Sequence, residues 1–263
     1  IATSMFFAEI SGSAVADVAA LGSILIPAMK KKGYPGAFAA AVTSSSASLA
    51  IIIPPSIPMI VYAVMSQSSV VQLFVAGIIP GVIGGFFLML AAYVTARKKN
   101  FPVEETFNIP NVKKTAKDAA LAFLLPVIIL GGIFGGVVTA TEGAGLAVVA
   151  SLVIGFIYKE IDFKRLYESA CEGAIQTASV MLLVAASVLL GEFLTIEQIP
   201  QKVAESIIEF TNNKYAVLGI LNIFLLIIGF FLHSVAAIIL TVPIVMPLVN
   251  AVGIDPVSYT HLT

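Results

Sequence analysis

Two short segments near the start of the chain carry the residue types that could bind a small cation. Ser11-Gly12-Ser13 supplies two hydroxyls around a glycine, which permits backbone angles that other residues avoid. The stretch from Ser44 to Ser56 contains Pro54-Pro55, and because prolines have no amide hydrogen, carbonyls upstream lose their helical partners. Hydroxyl and carbonyl oxygens are hard ligands, and half-helix ends add a favourable dipole. The two segments therefore predict a site for an ion such as Na⁺.

Helix packing is the alternative explanation for these small polar residues. Small side chains let membrane helices approach closely, and for any single serine packing is the simpler explanation. Two broken segments, each pairing serines with Gly or Pro-Pro, favour the ion site. Asp17 follows the first segment at membrane depth, where a carboxylate is functional or paired, unless a cavity at the tip solvates it.

Motifs of other chemistries are missing from the sequence. It has no nucleophile elbow, HExxH motif, phosphate loop or dinucleotide fingerprint. The single cysteine, Cys171, can form neither a disulfide framework nor a thiolate metal site. We therefore expect neither an enzyme nor an organic cofactor.

The composition is that of a membrane protein. Of the 263 residues 59% are hydrophobic and 11% charged, whereas soluble domains have about 25% charged residues. No basic patch with interleaved aromatic residues occurs, so we do not expect nucleic acid as a partner. The apolar composition indicates that the chain lies in a lipid bilayer. The sequence opens on Ile1 within an apolar run, and we expect it to be incomplete at both ends.

Apolar runs separated by charged or turn-rich breaks predict an all-α polytopic membrane protein. We expect a first re-entrant hairpin (1–29), a broken transmembrane helix (30–65), a transmembrane helix (66–99), a cytoplasmic loop (100–117), three transmembrane helices (118–196), an interfacial segment (197–213) and a second re-entrant hairpin (214–252). The last of these is too long for one crossing, and we expect breaks at His233-Ser234, Pro243 and Pro247.

The basic residues predict the orientation. Of the 14 Lys and Arg residues, all but Lys202 and Lys214 fall in 30–36, 97–117 and 159–170, which alternation places on the cytoplasmic side. This alternation requires the two hairpins to enter from opposite faces. Such a pair is typical of an inverted-repeat transporter.

Several longer motifs resemble one transporter family. They are "SGSAVADVAALGSILIPAMKKKGYP", "FAAAVTSSS", "IIPPSIPMIVY", "LLPVIILGGIFGGVVTATEGA", "LTIEQIPQ" and "TVPIVMPLVNAVGIDPV". Together they resemble the large membrane (permease) subunit of the tripartite ATP-independent periplasmic (TRAP) transporters, from residue 1 to about Val257. Residues 258–263 leave the pattern, and we expect them to be a non-native tail.

The resemblance implies a fold, a function and partners. It implies an elevator-type, inverted-repeat carrier of the ion transporter superfamily in the bacterial inner membrane. Such a carrier couples inward Na⁺ to uptake of small organic acids such as C4-dicarboxylates or sialic acid. A periplasmic substrate-binding protein would deliver the acid, and a small membrane subunit would lie beside the permease.

The resemblance also assigns two sodium sites. Ser11 and Ser13 match the first site, whose facing half would be the backbone carbonyls of Ala50, Ile53 and Pro54. The supporting positions are Gly12, Asp17, Ser45, Ser46 and Pro55, and the second, partial site would include His233 and Ser234. Two departures are expected to alter these sites: Ala50-Ile51 stands where the family usually has Gly-Pro, and His233 where it commonly has Asp.

Two rival interpretations remain open. A stand-alone sodium–carboxylate symporter of the same superfamily would need no binding protein. A subunit of a membrane redox complex would need haem-ligating histidines or a quinone site, and the apolar body of the chain contains only His233.

The orientation can be tested by labelling. In a cysteine-free, full-length protein, single cysteines replacing Ser68 and Lys114 should react with a membrane-impermeant maleimide from opposite sides, because the positive-inside rule places them there. The measurement is labelling in intact cells against inverted vesicles. Labelling of both positions from the periplasm would contradict the predicted topology.

Overall fold

The computed structural model describes residues 1–101, 115–116, 119–211 and 213–259, which are helical with short connections and contain no strand. The helices are α1 (Ala2–Ser11), α2 (Ala14–Lys31), α3 (Gly36–Ala47), a 3-10 helix (Ser48–Ile51), α4 (Ile57–Ser66), α5 (Val70–Lys98), α6 (Ala120–Phe134), α7 (Ala140–Ile157), α8 (Phe163–Ile196), α9 (Ile199–Phe210), α10 (Lys214–Phe231), α11 (Ser234–Ala251) and α12 (Pro256–Tyr259).

Five of the described helices, α5, α7, α8, α10 and α11, are long and apolar enough to cross a membrane. The shortest have 18 residues, or about 27 Å at 1.5 Å per residue, close to the thickness of a hydrocarbon core. Large apolar side chains lie exposed on their surfaces, including Leu182 (72%) and Leu189 (70%) on α8. An outward apolar surface suits lipid, so the predicted all-α polytopic membrane fold is confirmed.

The chain forms two compact units. One contains Ile1–Ser56 and Gly77–Asp162, and the other contains Ile57–Ala76 and Phe163–Thr263. The predicted loop over 100–117 and the tail over 258–263 lie mostly outside the described residues.

The first unit is built around the α1–α2 hairpin. Both arms pack against α3 and the 3-10 helix. Ala8 of α1 forms a small buried cluster with Leu49, Ala50 and Ile53. In the same unit α6 packs against α7, which begins with a capping box formed by Thr139 and Glu142.

The second unit has a larger core, to which α4, α5, α9, α10 and α11 contribute. Its most deeply buried side chains are Tyr62, Leu73, Val217, Val242 and Val249. Helix α11 lies at its centre and contacts α4, α8, α9 and α10.

The breaks in the helices are fewer than the sequence predicts. Pro243 and Pro247 lie inside α11, so the expected breaks at these prolines are wrong, and only Leu232 and His233 separate α10 from α11. Helix α3 continues to Ala47, so Ser44, Ser45 and Ser46 lie inside it and the break follows them. A proline removes one backbone hydrogen bond, and tertiary packing on a buried helix can outweigh that loss.

Tyr62 provides a test of the second unit. Its side chain is 1% exposed, and its hydroxyl donates a hydrogen bond of 2.7 Å to the carbonyl of Pro256, 194 residues later. Tyr62→Phe leaves that carbonyl without this donor and should lower the free energy of unfolding by about 1–3 kcal/mol.

The measurement is the thermal unfolding midpoint of the detergent-solubilised, full-length protein. Tyr215→Phe removes a hydroxyl from a side chain that is 77% exposed and serves as the matched control. Equal midpoints for the two variants would show that the bond to Pro256 contributes nothing.

Candidate cation site

The tip of the α1–α2 hairpin is a two-residue reversal. Gly12 lies in the left-handed region, with φ 59° and ψ 14°, and its N–H donates to the carbonyl of Ala8 at 3.0 Å. Ser13 is extended and caps α2, because its hydroxyl accepts a long hydrogen bond of 3.5 Å from the N–H of Ala16. Glycine and a short polar residue thus end one helix and begin the next within the predicted serine motif.

Ser11 and Asp17 meet at this tip. The Ser11 hydroxyl donates to Oδ1 of Asp17 and accepts a bond of 3.3 Å from the N–H of Ser13. Asp17 is completely buried, and its Oδ2 has no hydrogen-bond partner among the described residues. Both oxygens of this carboxylate are therefore out of water, and only one of them is satisfied.

The second predicted segment is a helix broken over 52–56. The N–H of Ile53 donates to the carbonyl of Leu49 at 2.8 Å, and Pro54 has no N–H to donate to the carbonyl of Ala50. Ala50 is fully buried, and no donor reaches its carbonyl from any residue that the structure describes. The break therefore leaves a buried carbonyl oxygen without a hydrogen-bond donor among the described residues.

Ser56 compensates for the second proline. Pro55 has no N–H for the carbonyl of Ile51, and the Ser56 hydroxyl donates to that oxygen instead, at 2.6 Å. One of the two carbonyls freed by Pro54-Pro55 is thus paired inside the protein, while that of Ala50 has no donor in the described part of the chain.

Packing within the first unit brings the two segments next to each other. Helices α1 and α2 both contact the 3-10 helix that carries Ala50. A buried hydrogen bond of 2.8 Å between the hydroxyls of Ser4 on α1 and Ser46 on α3 joins the first arm to the broken helix. Hydroxyl, carboxylate and carbonyl oxygens therefore lie on contacting elements, and these atoms suit a hard cation.

The structure brings some of the predicted site residues together and places the others elsewhere. Ser11, Gly12, Ser13 and Asp17 form the hairpin tip, and Ala50, Ile53, Pro54 and Pro55 lie on the adjacent broken helix. Ser46 is buried and bonded to Ser4, whereas Ser45 is exposed on α3. His233 and Ser234 belong to the second unit, where His233 is exposed at the start of α11 and its side chain caps nothing.

Sequence reasoning missed Ser4 and gave Ser56 no specific role. Ser4 lies one turn before the buried Ala8, so small-residue spacing along α1 was the available signal. A hydroxyl placed directly after Pro-Pro was the signal for Ser56. No three His, Cys, Asp or Glu side chains cluster in the described parts of the chain.

Five long apolar helices, together with shorter apolar helices that break at buried oxygen atoms, define a polytopic membrane protein. The chain belongs to the DctM component family of the tripartite ATP-independent periplasmic transporters, whose family model matches residues 1–262. The predicted family is therefore confirmed, and with it the prediction that the chain is not an enzyme.

Named relatives agree with this assignment. The chain is 40% identical over 261 residues to the isethionate TRAP transporter permease protein DctMQ of Oleidesulfovibrio alaskensis, covering 98% of this chain and 41% of the relative. It is 39% identical over 254 residues to the C4-dicarboxylate TRAP transporter large permease protein DctM of Pseudomonas aeruginosa (96% and 60%). It is 35% identical over 260 residues to the sialic acid TRAP transporter large permease protein SiaM of Vibrio cholerae (98% and 61%). The chain therefore spans 41% of the length of the DctMQ protein and about 60% of the lengths of the two large permease proteins.

Gly81 gives a test of how the broken helix is held. A Cβ added to this glycine of α5 would come within 2.7 Å of Cγ1 of Ile53, and Ile53 Cα lies only 3.7 Å away. Gly81→Val should displace the break and destabilise the protein by about 1–3 kcal/mol, the range for overpacking.

Thermal unfolding of the detergent-solubilised, full-length protein measures this effect. Gly145→Val in α7 is the matched control, because a Cβ there meets no atom within 4 Å. A Gly81 variant as stable as the Gly145 variant would mean that α5 does not hold the broken segment in place.

Proposed function

We propose that the chain is part of the permease subunit of a binding-protein-dependent TRAP transporter, which couples sodium entry to uptake of a small organic acid across the bacterial inner membrane. The observation that carries this proposal is the family match over residues 1–262. The local geometry supports the choice of ion, and the relatives support the choice of substrate class.

Sodium coupling is supported by the oxygens of the first unit. Na⁺ is held by neutral and anionic oxygen ligands. Ser11, Asp17 and the carbonyl of Ala50, which has no donor among the residues that the structure describes, supply such atoms. Water cannot easily form hydrogen bonds to buried polar atoms at membrane depth. A bound ion would therefore stabilise the broken backbone.

The substrate class comes from the relatives. Their names specify isethionate, C4-dicarboxylate, sialic acid and 2,3-diketo-L-gulonate, all of which are organic acids. When the cell is negative inside, moving an organic anion into it costs about 2.3 kcal/mol of electrical free energy per charge at a membrane potential of 100 mV. Sodium ions entering with the anion offset this cost, so anion uptake and sodium coupling are physically matched.

The cycle that we propose is an elevator-type movement of an inverted-repeat carrier. The α1–α2 hairpin and the α10–α11 hairpin would be the two repeated re-entrant elements, with sodium bound at the first tip. A periplasmic substrate-binding protein would deliver the acid, and a small membrane subunit and lipid would cover exposed apolar helix surfaces such as that of α8.

Reconstituted transport tests the proposal. The complete large subunit and its small subunit are placed in liposomes with an inward sodium gradient, and labelled C4-dicarboxylate, sialic acid or isethionate is supplied outside. We expect uptake only when both sodium and the cognate binding protein are present, because a loaded binding protein docking outside completes the cycle.

Two controls separate the alternatives. Replacing sodium with potassium at equal ionic strength should abolish uptake, whereas a proton gradient alone should not restore it. Robust sodium-driven uptake without a binding protein would favour the stand-alone symporter, and uptake unaffected by sodium would contradict the coupling ion.

A further inference from the structure

We propose that the first unit binds an anionic phospholipid in a groove where α2, α3 and α5 meet. Lys32 and Arg97 contact the lipid phosphate, and an acyl chain lies along the apolar wall of the groove. The inference does not depend on sodium coupling. It adds to the proposed function a specific lipid site at the end of the hairpin arm α2.

The charge in this part of the chain has a single sign. Over residues 18–103 the sequence contains six basic residues and no acidic residue. The basic residues form two runs, Lys30 to Lys32 at the end of α2 and Arg97 to Lys99 at the end of α5, and all six are exposed. Basic clusters at the cytoplasmic ends of membrane helices attract anionic lipid headgroups.

Three aromatic rings bring the two basic runs to the same end of the unit. Phe101, which follows α5, packs edge-to-face on Phe38 of α3 with ring centres 4.8 Å apart, and on Tyr34 at 5.7 Å. Tyr34 lies in the short connection between α2 and α3, so these contacts join the turn after Lys32 to the end of α5. Positive charges gathered in this way repel one another, and a bound anion relieves the repulsion.

A groove of about 590 Å³ lies between α2, α3, α5 and the start of α1. Lys32 and Tyr34 line it on one side, and Tyr93 of α5 lines it on the other. The guanidinium of Arg97 lies 5.9 Å from the centre of the Tyr93 ring. A cationic side chain therefore lies at or beside the groove on both sides.

The wall of the groove changes from apolar to basic along two helices. Leu25 and Met29 line it before Lys32 is reached at the end of α2, and Ala92 lines it one turn before Arg97 on α5. A phospholipid has the same sequence of chemistry, an acyl chain followed by a charged headgroup. A free anion would use the basic end alone, so the apolar wall favours a lipid.

Membrane orientation explains the sign of these charges but not the groove. The positive-inside rule and the helix dipole both favour Lys and Arg at these helix ends. Lys159 and Lys164 satisfy the same rule on the predicted cytoplasmic side and do not line the groove. These two residues therefore provide a matched control for charge alone.

Native mass spectrometry of the delipidated, full-length permease tests the site. The protein is titrated with phosphatidylglycerol or with phosphatidylcholine of the same acyl chains, and we expect phosphatidylglycerol to bind more tightly. Lys32→Gln combined with Arg97→Gln should weaken the tightest phosphatidylglycerol binding step about tenfold or more, and leave phosphatidylcholine binding unchanged. Lys159→Gln combined with Lys164→Gln removes the same charge and should change neither.

A second variant tests the apolar wall with every charge retained. Ala92→Leu places a larger side chain in the groove and should also weaken phosphatidylglycerol binding. Ala150→Leu makes the same change on α7, away from the groove, and should leave binding unchanged. Glycerol phosphate, which has the charge of the headgroup and no acyl chain, should not compete.

Three results would overturn the inference. Competition by glycerol phosphate at concentrations similar to those of the lipid would mean that the groove binds a free anion. Equal phosphatidylglycerol affinities for the wild type and the groove variants would place the lipid elsewhere. A wild type without a preference for phosphatidylglycerol, as expected if another part of the transporter fills the groove, would exclude the site. These measurements involve neither sodium nor transport, so the proposed function keeps its own test.

Discussion

The need to satisfy backbone polar groups away from water constrains every part of this protein that lies in the bilayer. A continuous helix meets that need internally, which explains why α5, α7, α8, α10 and α11 carry ordinary apolar sequences. At a break the need has to be met by other means. The Ser56 hydroxyl donates a hydrogen bond to the carbonyl of Ile51. The Ser13 hydroxyl accepts a hydrogen bond from a backbone N–H at the start of α2. The carbonyl of Ala50 and Oδ2 of Asp17 are left over in the described first unit. The candidate site consists of the polar atoms that the fold itself does not satisfy.

The same constraint explains why two pairs of prolines behave differently. Pro54 and Pro55 are adjacent, so they remove two successive hydrogen bonds, and the helix stops before them. Pro243 and Pro247 are four residues apart, and α11 passes through both while packed on its neighbours. The presence of prolines alone predicted a break in both cases. The outcome depended on tertiary packing around α11, which comes from residues far away in the sequence.

Local sequence therefore predicted the helical class, the family and the composition of the hairpin tip. The conformations of Gly12 and Ser13 follow from their own residue types. The apolar runs predict the membrane-spanning helices. The contact between Ser4 and Ser46 joins residues 42 positions apart, and no local pattern specifies such a pair. Asp17 was recognisable as a carboxylate at membrane depth, but its missing partner became visible only when the packing of α1 and α2 was known. The elevator movement and both sodium sites stay predictions.

Helix α8 is much longer than a bilayer requires. Its 34 residues from Phe163 to Ile196 extend about 51 Å, whereas the hydrocarbon core is about 30 Å thick. The helix must therefore tilt in the membrane, or at least one of its ends must project into the aqueous phase. Its first turns carry Lys164 and Glu168, which form an exposed i,i+4 ion pair 3.8 Å apart, and such a pair belongs in water. The helix is thus continuous from an apolar stretch that suits the lipid interior into charged turns that suit water. A protein or lipid headgroup that contacts these charged turns would contact the same continuous helix that crosses the membrane. Because no loop lies between the two parts, a displacement of the charged turns would pass directly to the membrane-spanning part.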